Sequence, residues 1–261
     1  VLKRALEIKT LVTAQRWEEL CQKLEIKESE PERWKDITEK MKLVFHGDGI
    51  ISQFEGWDEL EELDWKAYSE KYGDIQRLDR ILEAEGDSPN RYKLSKQADV
   101  LMLFYLFSED ELRELIEGLG YEYSDEARDK NVAYYIRRTS NGSSLSRTVH
   151  SWVLSRTRRK HSWKLFKEAL KTDIADIQGG TTREGIHLGA MASCVDLVQR
   201  CYTGLETREG VVHLNPQFPE NIERLEMGVR YRDHQLELEL RPGRLKVSCQ
   251  TKNPQPVKME V

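Results

Sequence analysis

The sequence predicts a mainly α-helical protein that ends in a small antiparallel β region. Over most of residues 1–204, apolar residues recur at the three- and four-residue spacing of helices that bury one face. From Leu205 onward the pattern changes to alternation, in segments such as HQLELEL and RLKVSC. The helices also follow one another in antiparallel-looking pairs, which is typical of a helical toroid or bundle.

Residues 1–44 predict three helices. The first extends to about Ala14, the second is RWEELCQKL, and the third begins at Ser29 with Pro31 in its first turn. The chain opens in mid-helix, without a start Met or a helix cap. We therefore expect this chain to be the C-terminal piece of a longer protein.

The segment between residues 45 and 95 is irregular. HGDG interrupts the helical pattern, and IISQF fits either a short strand or an extended loop. Residues 56–95 are acidic and aromatic, with short helices near Leu60, Lys66 and Leu78. Because compact domains rarely carry such a long loop-rich stretch, this segment is a candidate for function.

KQADVLMLFYLF, residues 96–107, predicts a helix that is apolar on all sides and therefore buried. Lys96 and Gln97 stand at its N-terminus, where a cation opposes the helix dipole. Two interpretations remain open for Lys96. It contacts a ligand, or its ammonium group reaches the surface while its stem stays packed.

SEDELRELIEGLG predicts an amphipathic helix capped by Ser108, and residues 124–136 predict another. The next segment, Thr139 to His150, places five hydroxyl side chains, one glycine and one Asn within nine residues. From Ile136 to Lys160 there are seven Lys or Arg and no Asp or Glu. Such a segment in front of a helix suits an oxyanion such as phosphate or sulfate. The alternative is a Ser-rich turn that only caps the helix.

Helices are predicted over residues 147–158 and 162–174, followed by IQGGTTREGIHLGAMA. Its glycine pair, Gly179 and Gly180, predicts a tight loop, and a helix starts near Glu184. His187 falls in the first turn of that helix, as either a structural histidine or a ligand contact. In the β region, RPGR predicts a turn that places Leu245 and Val247 opposite Leu236, Leu238 and Leu240.

Composition excludes several classes of protein. A net charge of −5 argues against general nucleic-acid binding. No apolar run approaches the length of a membrane span. The four cysteines show no metal-ligand spacing, so we expect them to be reduced, no metal to be bound and the protein to be cytoplasmic.

Four motifs, in this order, resemble glycoside hydrolase family 65, which contains maltose, trehalose and kojibiose phosphorylases and a minority of hydrolases. They are KQADVLMLFYLF, SSLS followed by His150, GGTTREGIHLGAM and NPQFPENIERLEMGVRY. The resemblance implies the later helices of an (α/α) six-hairpin barrel over residues 1–204. It also implies a small β-rich C-terminal domain over residues 205–261.

The resemblance also implies a reaction. Phosphate attacks the anomeric carbon of an α-glucoside with inversion and gives β-glucose 1-phosphate. Inorganic phosphate is then a co-substrate, and no cofactor takes part. The family's general-acid Glu belongs to a motif N-terminal to the first helix of this chain, so the isolated chain is expected to be inactive without that missing N-terminal part.

Individual positions carry over from the same family motifs. Lys96 and Gln97 match positions that bind glucose, and Ser143 and Ser144 match the phosphate-binding serines. Gly185 and His187 match the second wall of the phosphate pocket. Asn141 stands where the family often has His, and it donates hydrogen bonds without carrying a charge.

Three functions stay open on the sequence. The first is part of a disaccharide phosphorylase, the second is an α-glucoside hydrolase of the same family that uses water, and the third is a non-catalytic sugar- or anion-binding fragment. The sequence leaves open the disaccharide linkage and the oligomeric state, a homo-oligomer included.

Overall fold

The computed structural model describes residues 1–97, 99–124, 126–177, 181–208, 210–219, 221–252 and 255–261, with only the backbone for Thr181 and Glu184. These residues form a helical part followed by a β part, as the sequence predicts. The helices in the described ranges are α1 (Leu2–Leu11), α2 (Ala14–Lys23), α3 (Glu30–Lys40), α4 (Trp65–Tyr72), α5 (Leu78–Ala84), α6 (Asp99–Leu106), α7 (Glu109–Gly118), α8 (Ala127–Ile136), α9 (Ser146–Leu154), α10 (Arg159–Ala169) and α11 (Leu188–Asp196).

Helix α7 begins where its sequence signal places it. The Ser108 hydroxyl accepts a hydrogen bond from the Glu111 backbone N–H at 3.3 Å. In return, the Glu111 carboxylate accepts one from the Ser108 N–H at 3.2 Å. This capping box satisfies two N–H groups that a helix leaves unpaired at its start, and it confirms the predicted cap.

Helix α6 differs from the prediction of a helix buried on all sides. It begins at Asp99, so Lys96 and Gln97 precede it rather than form its first turn. Leu101 is fully buried, whereas Leu106 is 57% exposed and Phe107 is 37% exposed. The prediction was wrong about the far end, because the described helices that contact α6, among them α7, α8 and α9, leave these two side chains uncovered.

Helices α6, α9 and α11 lie side by side and point the same way. At their starts, the Ser146 hydroxyl donates to the Lys96 carbonyl at 3.3 Å. Toward their ends, the rings of Tyr105 and Trp152 are 5.0 Å apart. The start of α11 meets the start of α9, since a Cβ on Gly189 would lie 3.8 Å from Leu145. Three helix N-termini therefore meet at one end of the helical part.

The largest core among the described residues lies between α6, α7, α8 and α9. Tyr135 and Leu101 are fully buried there, and Trp57 is 2% exposed. A short antiparallel hairpin closes this core, formed by β1 (Phe45–His46) and β2 (Ile50–Ile51). Its strand β2 shows that IISQF is a strand only in its first two residues. The buried Asn131 side chain accepts a hydrogen bond from the Ile51 N–H at 2.8 Å, which anchors the hairpin to α8.

The β part contains two three-stranded sheets in the described residues. The first is antiparallel, in the order β5 (Leu225–Tyr231), β6 (His234–Arg241) and β7 (Arg244–Cys249). Its register pairs Leu240 with Leu245 and Leu238 with Val247, which confirms the predicted facing leucines. The alternate residues of β6 are buried, so this sheet packs one face on the core.

The second sheet has a pairing that the sequence did not predict. Its strands are β3 (Glu206–Arg208), β4 (Val211–His213) and β8 (Met259–Glu260). Strand β4 pairs antiparallel with β3 but parallel with β8. The end of the chain therefore returns beside β4, a contact that local alternation cannot indicate.

In the part of the chain that the structure describes, no helix is long and apolar enough to cross a membrane.

Candidate functional site

The Ser-rich segment lies beside the residues that precede α6. Ser95 pairs with Thr139 in a short parallel β-bridge, which is held by two backbone hydrogen bonds of Ser95. Its N–H donates to the Arg138 carbonyl at 2.8 Å, and its carbonyl accepts from the Ser140 N–H at 2.9 Å. This bridge fixes the start of the Ser-rich segment next to Lys96.

Gly142 brings the two segments into contact. A Cβ at this position would lie 2.6 Å from the Gln76 carbonyl oxygen and 3.1 Å from Cγ of Lys96. Any side chain there would push against backbone, so the close approach requires glycine. The exposed Lys96 side chain consequently has its stem against the Ser-rich segment, and this agrees with the interpretation that the stem is packed.

Ser143 and Ser144 form the turn that leads into α9, and both are half-buried. The Ser143 hydroxyl accepts a hydrogen bond from the Leu145 N–H at 3.3 Å, and its carbonyl accepts from the Ser146 N–H at 3.1 Å. Asn141 adopts a left-handed backbone conformation with φ 62°, which Asn tolerates better than most residues. The first turn of α9 contains no acidic residue, so nothing there opposes an anion.

His187 stands immediately before α11 rather than in its first turn. One carboxylate holds it in place. Its Nδ1 lies 2.6 Å from Asp173 Oδ1, and its backbone N–H donates to Asp173 Oδ2 at 3.0 Å. A carboxylate accepts hydrogen bonds, so Nδ1 is the donor in this contact. The Asp173 side chain is 9% exposed, which makes this a largely desolvated contact.

The turn before His187 is described only in part. Gly185 has φ 97°, a conformation that strains other residues, and its N–H donates to the Thr182 carbonyl at 3.3 Å. The predicted tight loop at Gly179 and Gly180 lies outside the described residues. The contact between Gly189 and Leu145 nevertheless places the start of α11 against the serine turn.

Gln97 is oriented differently from the other predicted positions. Its Nε2 lies 3.3 Å from the sulfur of Met102, one turn along α6. The structure gives Gln97 no hydrogen bond to the Ser-rich segment, although both are described. Lys96, the serine turn and the His187 turn are thus brought to one end of three helices, while the Gln97 amide points toward Met102 of α6.

Two buried residues behind the serine turn differ in charge. Arg147 is 6% exposed, and burial lowers the pKa of its guanidinium, which remains charged at neutral pH. His150 is 3% exposed, and burial, with His161 and Arg147 nearby, lowers its pKa to about 4. His150 is therefore neutral at pH 7 and supplies no charge to an anion.

Sequence reasoning missed Asp173, Gln76 and the specific role of Arg147. Arg147 belongs to the basic segment and could have been singled out by charge alone. Asp173 and Gln76 carry no comparable local signal. Among the described residues, no three His, Cys, Asp or Glu side chains group as a metal site would require.

Residues 1–196 match the glycosyl hydrolase family 65 central catalytic domain, and residues 205–261 match the C-terminal domain of the same family. The chain belongs to glycosyl hydrolase family 65. The helical part thus contains later helices of the family's (α/α) barrel, followed by its β part.

Some relatives within the family are named for a specific activity, and others are named only as glycosyl hydrolases. The chain is 48% identical over 260 residues to an uncharacterized glycosyl hydrolase of Mycobacterium tuberculosis, covering 100% of this chain and 20% of that protein. It is 35% identical over 215 residues to the trehalose 6-phosphate phosphorylase of Lactococcus lactis, covering 82% of this chain and 28% of that protein. The chain therefore spans between a fifth and a third of the length of these curated relatives.

A solved structure supports the fold. A candidate kojibiose phosphorylase from the human microbiome matches with a TM-score of 0.73 at 23% identity. The match covers 98% of this chain and 34% of that chain. At this identity the likeness shows the fold alone.

Proposed function

We propose that this chain forms part of an inverting disaccharide phosphorylase that transfers a glucosyl group to inorganic phosphate. One observation carries the proposal, namely the meeting of Lys96, the Ser143–Ser144 turn and the Asp173–His187 pair at the N-termini of α6, α9 and α11. Helix N-termini favour anions through their N–H groups and dipoles. The names of relatives such as the trehalose 6-phosphate phosphorylase of Lactococcus lactis agree with this reaction.

In the proposed site, each residue has one task. The Ser143 and Ser144 hydroxyls and His187 bind phosphate oxygens, with Asn141 and the Gly185 turn at the edge of the pocket. Lys96 and Gln97 bind the glucose unit. Gln97 would have to turn its amide away from Met102 to do so.

The proposed reaction forms a bond between a phosphate oxygen and the anomeric carbon as the glycosidic bond breaks. The leaving oxygen takes its proton from a carboxylic acid that lies outside this chain. Inverting hydrolases place a second carboxylate opposite that acid, about 6.5–9.5 Å away, to activate water. In the proposed phosphorylase, bound phosphate occupies that place and needs no base.

The hydrolase alternative has one observation in its favour. Asn141, at the edge of the proposed pocket, supplies no positive charge to a bound phosphate. The two functions differ in their products, because a phosphorylase gives glucose 1-phosphate and a hydrolase gives glucose.

The deciding experiment uses the complete protein that contains this chain. Maltose, trehalose, kojibiose and trehalose 6-phosphate are each incubated with and without phosphate, and products are followed by ³¹P and ¹H NMR. We expect β-glucose 1-phosphate, formed only with phosphate. Glucose release that is independent of phosphate would establish the hydrolase, and binding without turnover would establish a non-catalytic protein.

Several expectations remain predictions. They are the domain division at residues 204 and 205, the cytoplasmic location, the absence of a cofactor and the inactivity of the isolated chain.

A further inference from the structure

Gln76 stands where three segments of the chain meet. Its side-chain Oε1 accepts a hydrogen bond from Nη2 of Arg147 at 2.6 Å. Its Nε2 donates to the Ile177 carbonyl at 3.0 Å. Its own carbonyl oxygen faces Gly142 so closely that a Cβ there would be 2.6 Å away. A single residue therefore contacts the Ser-rich segment, the first turn of α9 and the segment that follows α10.

The hydrogen bond with Arg147 ties Gln76 to the first turn of α9, which directly follows the serine turn. Arg147 is 6% exposed, and its guanidinium also pairs with Glu168, whose Oε2 lies 3.5 Å from Nε. Its Nη1 has no hydrogen-bond partner among the described residues. A buried guanidinium needs its few acceptors, so loss of the Gln76 oxygen would leave Arg147 poorly satisfied and free the start of α9.

The hydrogen bond from Gln76 to Ile177 ties Gln76 to the segment that contains Asp173, the partner of His187. Ile177 lies four residues after Asp173, whose carboxylate holds both the backbone and the ring of His187. Movement of the Ile177 carbonyl would therefore be passed to Asp173 over a short stretch of chain.

The amide group suits this place because it presents an acceptor and a donor at the same time. A glutamate keeps the acceptor for Arg147 but offers no donor to the Ile177 carbonyl. A methionine of similar length offers neither. These differences allow the two contacts to be separated by substitution.

We propose that Gln76 is a positioning residue that holds the Ser143–Ser144 turn and the Asp173–His187 pair at a fixed separation. The proposal rests on the proposed function, since it assigns Gln76 to the assembly of the phosphate pocket. It adds a residue from the irregular segment 56–95 that touches neither phosphate nor glucose.

The test compares Gln76→Met, Gln76→Glu and the control Gln217→Met in the complete protein that contains this chain. Gln217 also accepts a hydrogen bond from an arginine, Arg159, but far from the serine turn. Amide hydrogen exchange is measured in residues 139–146 and 173–177, and inorganic phosphate binding is measured by calorimetry. Thermal unfolding of each variant shows whether it is folded.

We expect Gln76→Met to raise exchange in both segments and to weaken phosphate binding about tenfold. Gln76→Glu should raise exchange mainly in residues 173–177, and Gln217→Met should change neither segment. Wild-type exchange in either segment of a folded Gln76→Met variant would overturn the proposal, as would unchanged phosphate affinity. If the wild-type complete protein binds no phosphate, the proposed function fails, and the exchange measurements alone decide whether Gln76 links the two turns.

Discussion

The carboxylate of Asp173 holds His187 by two atoms. Oδ1 lies 2.6 Å from the ring Nδ1, and Oδ2 accepts from the backbone N–H at 3.0 Å. The pair fixes the ring and the start of α11 together, because both hydrogen bonds end on the same carboxylate. Asp173 therefore sets the orientation of the His187 ring relative to the backbone that leads into α11.

Asp173→Asn should weaken phosphate binding about tenfold, since an amide accepts on one oxygen only and leaves one of the two contacts unmade. Calorimetric titration of the chain with phosphate measures the effect. Asp196→Asn is a suitable control. Asp196 is the last residue of α11, whereas His187 precedes its first, and the Asp196 carboxylate pairs with Arg200 at 2.6 Å. Equal affinities for both variants would show that Asp173 does not orient a phosphate ligand.

Ser143→Ala combined with Ser144→Ala should weaken phosphate and sulfate binding by about tenfold or more, because two hydroxyl donors are lost from the turn before α9. The control Ser69→Ala removes a hydroxyl from the exposed face of α4. Isothermal titration compares the dissociation constants. Binding that persists at wild-type strength in the double variant means that the anion lies elsewhere.

Lys96→Ala should weaken glucose binding far more than phosphate binding, as expected for a residue of the sugar site. Lys96→Met separates charge from packing, because it keeps a stem against Gly142. If the ammonium contacts the sugar, both variants lose affinity to the same degree. Lys66→Met removes an 87% exposed lysine and serves as the control. A Lys96→Met variant with wild-type affinity for both ligands would identify Lys96 as a surface cation.

Gly142→Ala should destabilise the fold by about 1–3 kcal/mol, because the added methyl group meets the Gln76 backbone and the site has little room to relax. Gly118→Ala is the matched control. A Cβ on Gly118 meets nothing within 4 Å, and the helix favours Ala over Gly. Urea unfolding of the two variants should move in opposite directions. Similar midpoints would contradict the tight contact at Gly142.

His150 predicts a dependence of stability on pH. Its pKa falls from 6.5 to about 4 on burial, so the unfolded chain binds the proton at a higher pH than the folded chain does. The stabilisation from the neutral ring is complete above about pH 6.5 and is lost as the pH falls toward about 4. Between pH 7 and pH 5 this amounts to about 2 kcal/mol.

His150→Gln removes this proton site. Its free energy of unfolding should fall less between pH 7 and pH 5 than that of the wild-type chain, with near-UV circular dichroism confirming that the variant is folded. Other carboxylates titrate in the same range, so the difference between the two proteins is the quantity to compare. Identical pH dependence would show that His150 is charged or accessible in the folded state.

Local signals in the sequence were enough to predict much of the fold. Ser108 and Glu111 indicate the start of α7 in the sequence, because a capping box depends only on two residues that are three positions apart. The turn at RPGR sets the register of β6 against β7, so Leu240 and Leu245 had to face each other. Apolar periodicity also predicted that residues 1–204 are mainly helical, but it could not show that Leu106, at the end of α6, is exposed.

Part of the candidate site was also accessible from the sequence, because hydroxyl-rich and glycine-rich turns before helices stand out by composition. The amino-acid sequence by itself determined a helical protein with a short β part, and it singled out Lys96, the serine turn and His187. Only the tertiary structure decided that these turns meet and which residues hold them. Gln76 lies 71 residues from Arg147 and 101 residues from Ile177 along the chain. Such contacts depend on how helices pack, and no spacing pattern within a helix or strand records them.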